Sequence, residues 1–270
     1  MRTRIFFLLI KNTLIKEYRN KTLLFLLLFT LMILWADHSF FDYIFKTFFK
    51  QQNINLVQYK IDLFYYIISS WNILMGAMLG VGCIRSDCND HVLEGLLSLP
   101  ISRFNYIFAR IGGTWLIVMG YYIFSLSLAY FLFSSDKTEA MLGWPIISSL
   151  FMSSIPILGI ITLSAFLSLH FSKIWAFMIT LLCSGLISHA NEKFSGRFLD
   201  EVKNITGVFD SITALFHSFI PHLGTFNTLS KELFSNHDLT KNLGLELLHF
   251  GGSYGLLVLA IMITFRHLDP

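Results

Sequence analysis

The feature of this sequence that most limits its fold is a series of six long apolar runs separated by polar segments. A bilayer core about 30 Å thick needs about 20 apolar residues in an α-helix, because only an internally hydrogen-bonded backbone avoids unpaired polar groups in hydrocarbon. The sequence therefore predicts an all-α, polytopic membrane protein, residues 1–270 forming a single transmembrane domain with six transmembrane helices. The predicted spans are 22–36, 63–84, 107–133, 145–169, 174–188 and 245–265.

Composition supports the membrane interpretation and narrows the possible partners. The chain is 54% hydrophobic and only 14% charged, which contradicts a soluble globular protein. Its net charge of +3 is small and its basic residues are scattered, so a nucleic-acid partner is not expected. Cys83, Cys88 and Cys183 form neither a disulfide framework nor a CxxC pair.

The first 21 residues have a helical pattern of their own. Leu14, Ile15 and Tyr18 fall on one face of a helix, and polar or basic residues fall on the other. This pattern predicts a helix that lies in the headgroup plane over residues 1–21. The alternative is that the segment simply extends the first span with basic residues.

Basic residues set the expected orientation of the chain. Six of them precede the first span, and the first span usually dominates topology, so both termini are expected to be cytoplasmic. This orientation makes residues 85–106 a cytoplasmic loop and residues 189–244 an extracytoplasmic loop. The apolar part of that outer loop is interrupted by Asp210, His217 and Pro221, which favours amphipathic helices at the outer surface or a re-entrant pair over a seventh crossing.

Two G-x-x-x-G spacings predict places where helix backbones approach closely. Gly76 and Gly80 lie in the second span, and Gly251 and Gly255 lie in the sixth. Either pair could serve packing within the chain or a dimer face, and the spacing does not choose between them.

The cytoplasmic loop at 85–106 carries the pattern of a short, rigid helix. Asp87 or Asn89 can cap its start, an apolar stripe of about two turns follows, and Pro100 ends it because the residue before a proline resists the helical region. Ser102 can then cap the third span. From the pattern alone, such a helix either carries motion from a soluble partner into the spans or lies passively at the membrane surface.

A resemblance favours the first of these interpretations. The run LEGLLSLPISR at residues 93–103, followed by Tyr106 and Arg110, resembles the cytoplasmic-loop pattern of ATP-binding cassette (ABC) transporter permeases of the type 2 exporter group. It is similar to the branch that includes the permease for nitrous-oxide-reductase maturation, and it departs from that pattern at His91, Val92 and Gly95. The plan of six spans, basic N-terminal helix and outer segment before the last span is similar as well.

The resemblance implies a specific assembly. Two permease chains, identical or homologous, would form a pathway at their interface in a bacterial inner membrane, among its lipids, with an extracytoplasmic accessory subunit in some systems. A separate cytoplasmic ABC ATPase would bind ATP and magnesium, and this chain would hold no cofactor or metal. The N-terminal helix would act as the connecting elbow. The residues expected to couple to the ATPase are Asp87, Asp90, His91, Leu93, Glu94, Leu96, Leu97, Pro100 and Arg103.

The sequence also limits other functions. It contains no G-x-x-x-x-G-K-[ST] motif, so any ATPase must be another polypeptide. No catalytic residue set is apparent, and the alternatives of a membrane-embedded enzyme or of a membrane scaffold or sensor have no distinguishing motif. Polar or aromatic groups within the spans that could line a path are Trp71, Asn72, Ser164 and Ser168, which could equally pack helices together.

Overall fold

The computed structural model of this protein describes residues 2–19, 21–48, 56–89, 102–133, 144–194, 207–234 and 243–267. The described residues are almost entirely α-helical and contain no β-strand. In chain order the helices are α1 (Arg2–Arg19), α2 (Thr22–Phe48), α3 (Leu56–Cys83), α4 (Arg85–Asn89), α5 (Arg103–Phe133), α6 (Trp144–His170), α7 (Lys173–Lys193), α8 (Val208–Phe219), α9 (Leu223–Phe234) and α10 (Leu243–His267).

Long apolar helices dominate this architecture. Five of the described helices, α3, α5, α6, α7 and α10, are long and apolar enough to cross a membrane. A sixth is added if α1 and α2, which meet at a bend of 68°, are counted as one broken span. The all-helical prediction is therefore confirmed for the described residues, and the fold is that of an integral membrane protein.

Several helices extend beyond the apolar runs that predict them: α3 begins at Leu56, before its run at 63–84, and two helices continue well past the ends of theirs. The first run ends at Ala36, but α2 continues to Phe48, and α7 continues past Ser188 to Lys193. Neither continuation contains glycine or proline, so nothing in the local sequence stops the helix where hydropathy falls. At the bend before α2, Lys21 has a φ of 57°, the left-handed conformation in which a helix commonly ends.

The centre of the bundle is the contact between α3 and α6. Gly80 allows the two helices to approach closely, because a Cβ at that position would lie 2.9 Å from the Ile161 carbonyl oxygen and would collide with the Ser164 hydroxyl. The first G-x-x-x-G spacing thus packs within the chain. At Gly251 and Gly255, by contrast, no described atom lies within 4 Å of where a Cβ would stand.

The outer segment forms two short helices, α8 and α9, joined through a turn at Pro221. Each has 12 residues, about 18 Å of helix, which is too short to cross a core of about 30 Å. No seventh crossing therefore lies within the described residues of this segment. Leu223, Phe226 and Leu229 of α9 are buried against α6 and its neighbours, so α9 packs into protein, whereas α8 leaves large apolar side chains such as Val208 and Leu215 exposed.

A cluster of five hydroxyl groups fastens α9 to the spans. The Tyr65 hydroxyl of α3 lies 3.1 Å from Ser149 Oγ and 3.0 Å from Ser153 Oγ of α6, and it also bonds Ser230 of α9. The Tyr122 hydroxyl of α5 lies 2.9 Å from Ser153 Oγ. This hydroxyl cluster joins four helices at the end of the bundle where α3 begins.

Candidate functional site: a buried ion cluster at the base of the loop

The candidate site forms where the chain leaves α3 for the predicted cytoplasmic loop. Helix α4 follows α3 after a turn at Ile84, and the Asp87 amide donates a hydrogen bond of 3.0 Å to the Ile84 carbonyl. This turn directs the Asp87 side chain back into the bundle, where only 1% of it is exposed. A carboxylate buried to this degree needs charged or hydrogen-bonding partners.

Asp87 finds those partners on two other helices. Lys16 Nζ of α1 lies 2.8 Å from Asp87 Oδ1, and the Tyr106 hydroxyl of α5 donates a bond of 2.6 Å to Oδ2. The Arg110 guanidinium, also on α5, forms an ion pair with the same Oδ2. We call Thr13, Lys16, Asp87, Tyr106 and Arg110 the ion cluster.

Arg110 extends the cluster to a second residue of α1. Its side chain is 2% exposed, and its Nη1 donates a bond of 2.9 Å to Thr13 Oγ1. The Nε of Arg110 is buried without a hydrogen-bond partner among the described residues. Close approach of α1 and α5 depends on Gly113, since a Cβ there would lie 2.9 Å from the Thr13 Cβ.

Tyr106 connects the cluster to the last helix. Its ring stacks on Phe265 of α10 with centroids 5.7 Å apart, and the Arg110 guanidinium carbon lies 5.7 Å from the centroid of the Tyr106 ring. Four segments, α1, α4, α5 and α10, therefore meet around one carboxylate. Glu17 adds a second acidic group that interacts electrostatically with Lys16 and Arg110.

Both flanks of the loop are anchored by specific bonds. On the near side, the Arg85 guanidinium donates to the carbonyl oxygens of Ser168 and Phe171, which satisfies backbone groups at the C-terminal end of α6. On the far side, Ser102 Oγ accepts the Asn105 amide at 3.2 Å, which confirms Ser102 as the cap of α5. Arg103 is the first residue of that helix.

Most residues of the predicted coupling helix lie outside the described residues. This holds for Asp90, His91, Leu93, Glu94, Leu96, Leu97 and Pro100, so the helix there stays a prediction. Asp87 and Arg103 are described. Asp87 is buried in the ion cluster and faces the bundle, so it is not exposed for contact with a partner.

The four candidate path-lining residues are held by contacts within the chain. The Trp71 indole donates a bond of 2.9 Å to Thr30 Oγ1 and so ties α3 to α2. Asn72, Ser164 and Ser168 are fully buried, and each donates to a carbonyl of its own helix. The Oδ1 of Asn72 is buried without a partner among the described residues.

Reasoning from the sequence missed that Asp87 and Arg110 are partners. One signal was available, since Arg110 falls inside the predicted span 107–133, and an ionisable residue within a span usually has a partner facing the bundle. Lys16 gave no such signal, because a lysine on a basic amphipathic helix is normally solvated.

The ion cluster joins α1, α4 and α5 through charged groups. Within the described residues, no set of His, Cys, Asp or Glu side chains is arranged to hold a metal ion. The Asp87 carboxylate is bonded by Lys16, Tyr106 and Arg110. The chain matches no protein-family model, no curated protein and no solved structure.

Proposed function

We propose that this chain is the permease subunit of an ABC transporter of the type 2 exporter group. The observation that carries the proposal is the ion cluster, in which Asp87 before the loop and Tyr106 and Arg110 after it meet at one buried carboxylate. The resemblance of residues 93–103 to the cytoplasmic loop of these permeases supplies the identity of the partner. A loop fastened on both flanks is suited to receive a mechanical load.

The proposed mechanism uses the ion cluster as a rigid joint. An ATPase bound to the loop would displace residues 90–101 as its nucleotide sites close and reopen. Because Asp87 is bonded to α1 through Lys16 and to α5 through Arg110, the two helices would move together with the loop. Tyr106 would pass the movement to α10 through its stack on Phe265.

The remaining parts of the assembly belong to the same proposal. ATP and magnesium would be bound by the ATPase, and a second permease chain would complete the pathway. The N-terminal helix α1 would lie at the cytoplasmic surface of a bacterial inner membrane, with both termini on that side. The substrate, or the mechanical work performed in place of transport, would be set by residues at the interface between the two permeases.

The test is capture of the ATPase through the loop. The tagged chain is purified from its native membrane in mild detergent, and co-purifying proteins are examined for a P-loop ATPase. The variants Glu94→Lys and Leu96→Asp with Leu97→Asp should reduce the recovered ATPase by about tenfold or more, because an unmatched charge in a contact costs at least about 1.4 kcal/mol. Both variants should still insert into the membrane.

The matched control is Glu139→Lys, the same charge reversal in the segment between α5 and α6, which is expected on the opposite side of the membrane. It should leave ATPase recovery unchanged. The proposal fails if no P-loop protein accompanies the unaltered chain, or if the loop variants retain as much ATPase as the control.

A further inference from the structure

Three histidine rings form a continuous stack at the end of the bundle opposite the ion cluster. His217 lies in the last turn of α8, His222 lies in the turn before α9, and His249 belongs to α10. The ring centroids of His217 and His222 are 4.1 Å apart, and those of His222 and His249 are 3.7 Å apart, with interplanar angles of 20° and 19°. We call these residues the histidine stack.

The middle ring faces a hydrogen-bond acceptor on each side. His222 Nδ1 lies 2.8 Å from Glu246 Oε2, and His222 Nε2 lies 2.8 Å from the His217 carbonyl oxygen. A neutral imidazole has one donor nitrogen, whereas the imidazolium has two, so the protonated ring satisfies both bonds. In that form His222 makes an ion pair with Glu246, and 9% and 17% of the two side chains are exposed.

The outer rings have bonds that a neutral imidazole satisfies. His217 Nδ1 lies 3.3 Å from Asn191 Oδ1 of α7, and His249 Nε2 lies 3.2 Å from the Ser218 carbonyl oxygen. Each of these bonds uses one donor nitrogen. Those bonds join the outer rings to α7 and α8.

Several charged side chains are described on the helices around the stack. Glu246 is an acid bonded to the stack through His222. Asp210 of α8 pairs with Lys193 of α7, and His189 of α7 packs on the Phe209 ring. The remaining charged side chains described on α9 are Lys231 and Glu232, more than two turns along the helix from His222.

A second proton would therefore place two like charges about 4 Å apart beside one carboxylate. Like charges at this separation disfavour each other strongly when they are withdrawn from water. The rings would separate, and the bonds from α10 to the turn before α9 would be lost. Many side chains of α10 are exposed, including Leu245 and Leu248 near its start. The bonds and ring contacts of the histidine stack are therefore important for attaching the first turns of α10 to the bundle.

We propose that the histidine stack is a proton-binding site that releases the start of α10 from α8 and the turn before α9 when it takes up a second proton. Acidification on this side of the membrane would then change the arrangement of the outer helices. The proposal does not depend on the proposed transport function, because it concerns this chain alone.

The test measures a distance across the stack as pH is lowered. Spin labels are placed at Leu215→Cys of α8 and Leu248→Cys of α10, two exposed positions, after Cys83, Cys88 and Cys183 are replaced by alanine. In lipid nanodiscs, the distance between the labels should lengthen by roughly 2 to 5 Å between pH 8 and pH 5, as for other helix displacements. The change should appear on the acidic side of the ordinary histidine range, because the first proton disfavours the second.

Two variants make the result specific. His217→Gln with His249→Gln removes the outer imidazoles and should keep one distance at both pH values, whereas His189→Gln, a histidine outside the stack, should respond as the unaltered chain does. If the double variant does not fold, His249→Gln alone should reduce the change. An unaltered chain with the same distance at both pH values would overturn the proposal, as would a full response from the glutamine variants.

Discussion

Both ends of this bundle hold helices together through polar side chains, but the two ends use different chemical groups. At one end the ion cluster ties α1 to the spans through the ion pairs of Lys16, Asp87 and Arg110. At the other end the histidine stack ties α10 to α8 and the turn before α9. Imidazole is the side chain whose ordinary pKa lies closest to physiological pH, whereas the ordinary pKa values of lysine, aspartate and arginine lie well outside it.

The comparison teaches that how firmly such a contact holds two helices together depends on its ionisable groups and on its burial. Asp87 and Arg110 are each 2% exposed or less, so removing the carboxylate leaves a buried guanidinium without the anion that it bonds. The hydroxyl cluster joins helices with neutral groups, whose loss is less costly. We therefore expect one end to be rigid and the other to be adjustable.

The largest effect is expected when the fixed joint is broken. Asp87→Asn keeps the shape of the side chain but leaves Lys16 and Arg110 without their anionic partner. Removing one member of a buried ion pair costs about 3 to 5 kcal/mol, so the free energy of unfolding should fall by about that amount. Unfolding by sodium dodecyl sulfate in mixed micelles measures it.

The control for this prediction is the same exchange in an exposed ion pair. Asp210→Asn breaks the pair with Lys193, whose side chain is 39% exposed, and should cost about 0 to 1 kcal/mol. Equal losses for Asp87→Asn and Asp210→Asn would show that burial does not distinguish the two joints.

A smaller effect is expected where the fixed joint needs close helix approach. Gly113→Ala places a Cβ 2.9 Å from the Thr13 Cβ, so α1 must move away from α5. Overpacking of this kind costs about 1 to 3 kcal/mol. Measured in the same micelles, Gly120→Ala on the same helix, where a Cβ meets no described atom within 4 Å, should be neutral or slightly stabilising. A neutral Gly113→Ala would contradict the tight contact.

The smallest effect is expected in the hydroxyl cluster. Ser230→Ala removes bonds to Ser149 and Ser153, whose hydroxyl oxygens lie 2.9 and 2.6 Å from Ser230 Oγ. Because the remaining hydroxyls can bond one another, we expect a loss of only about 0.5 to 1.5 kcal/mol in the free energy of unfolding. Ser211→Ala, an exposed serine bonded within α8, serves as the control. A loss as large as that for Asp87→Asn would contradict the expectation that the buried ion pairs stabilise this bundle more than the neutral hydroxyl cluster does.

The helices were largely predictable because hydropathy and helix signals are local. The apolar runs lie within the helices observed, apart from Ile84 in the turn after α3, and Ser102 caps α5 as its position predicts. The predicted ends of α2 and α7 and the predicted start of α3 were wrong, because a helix continues through polar residues when no glycine or proline stops it. The G-x-x-x-G pair at Gly76 and Gly80 could be recognised, but its partner helix could not.

The functional arrangements were less predictable because their members are far apart in the chain. Asp87 was expected at the cap of a cytoplasmic helix, where aspartate commonly sits. Its burial depends on Lys16 and Arg110, 71 and 23 residues away, approaching from helices whose packing the pattern does not specify. The histidine stack was not predictable from the sequence, because five residues across a proline do not place His217 and His222 on one helical face, and His249 lies on another helix.

The sequence by itself determined that this chain is helical, lies in a membrane and carries a polar segment between two spans, because each of these properties follows from the run of neighbouring residues. Only the tertiary structure decided which charges and which imidazoles meet. Ion pairs and ring stacks act over a few ångströms, and the packing of distant helices sets those distances.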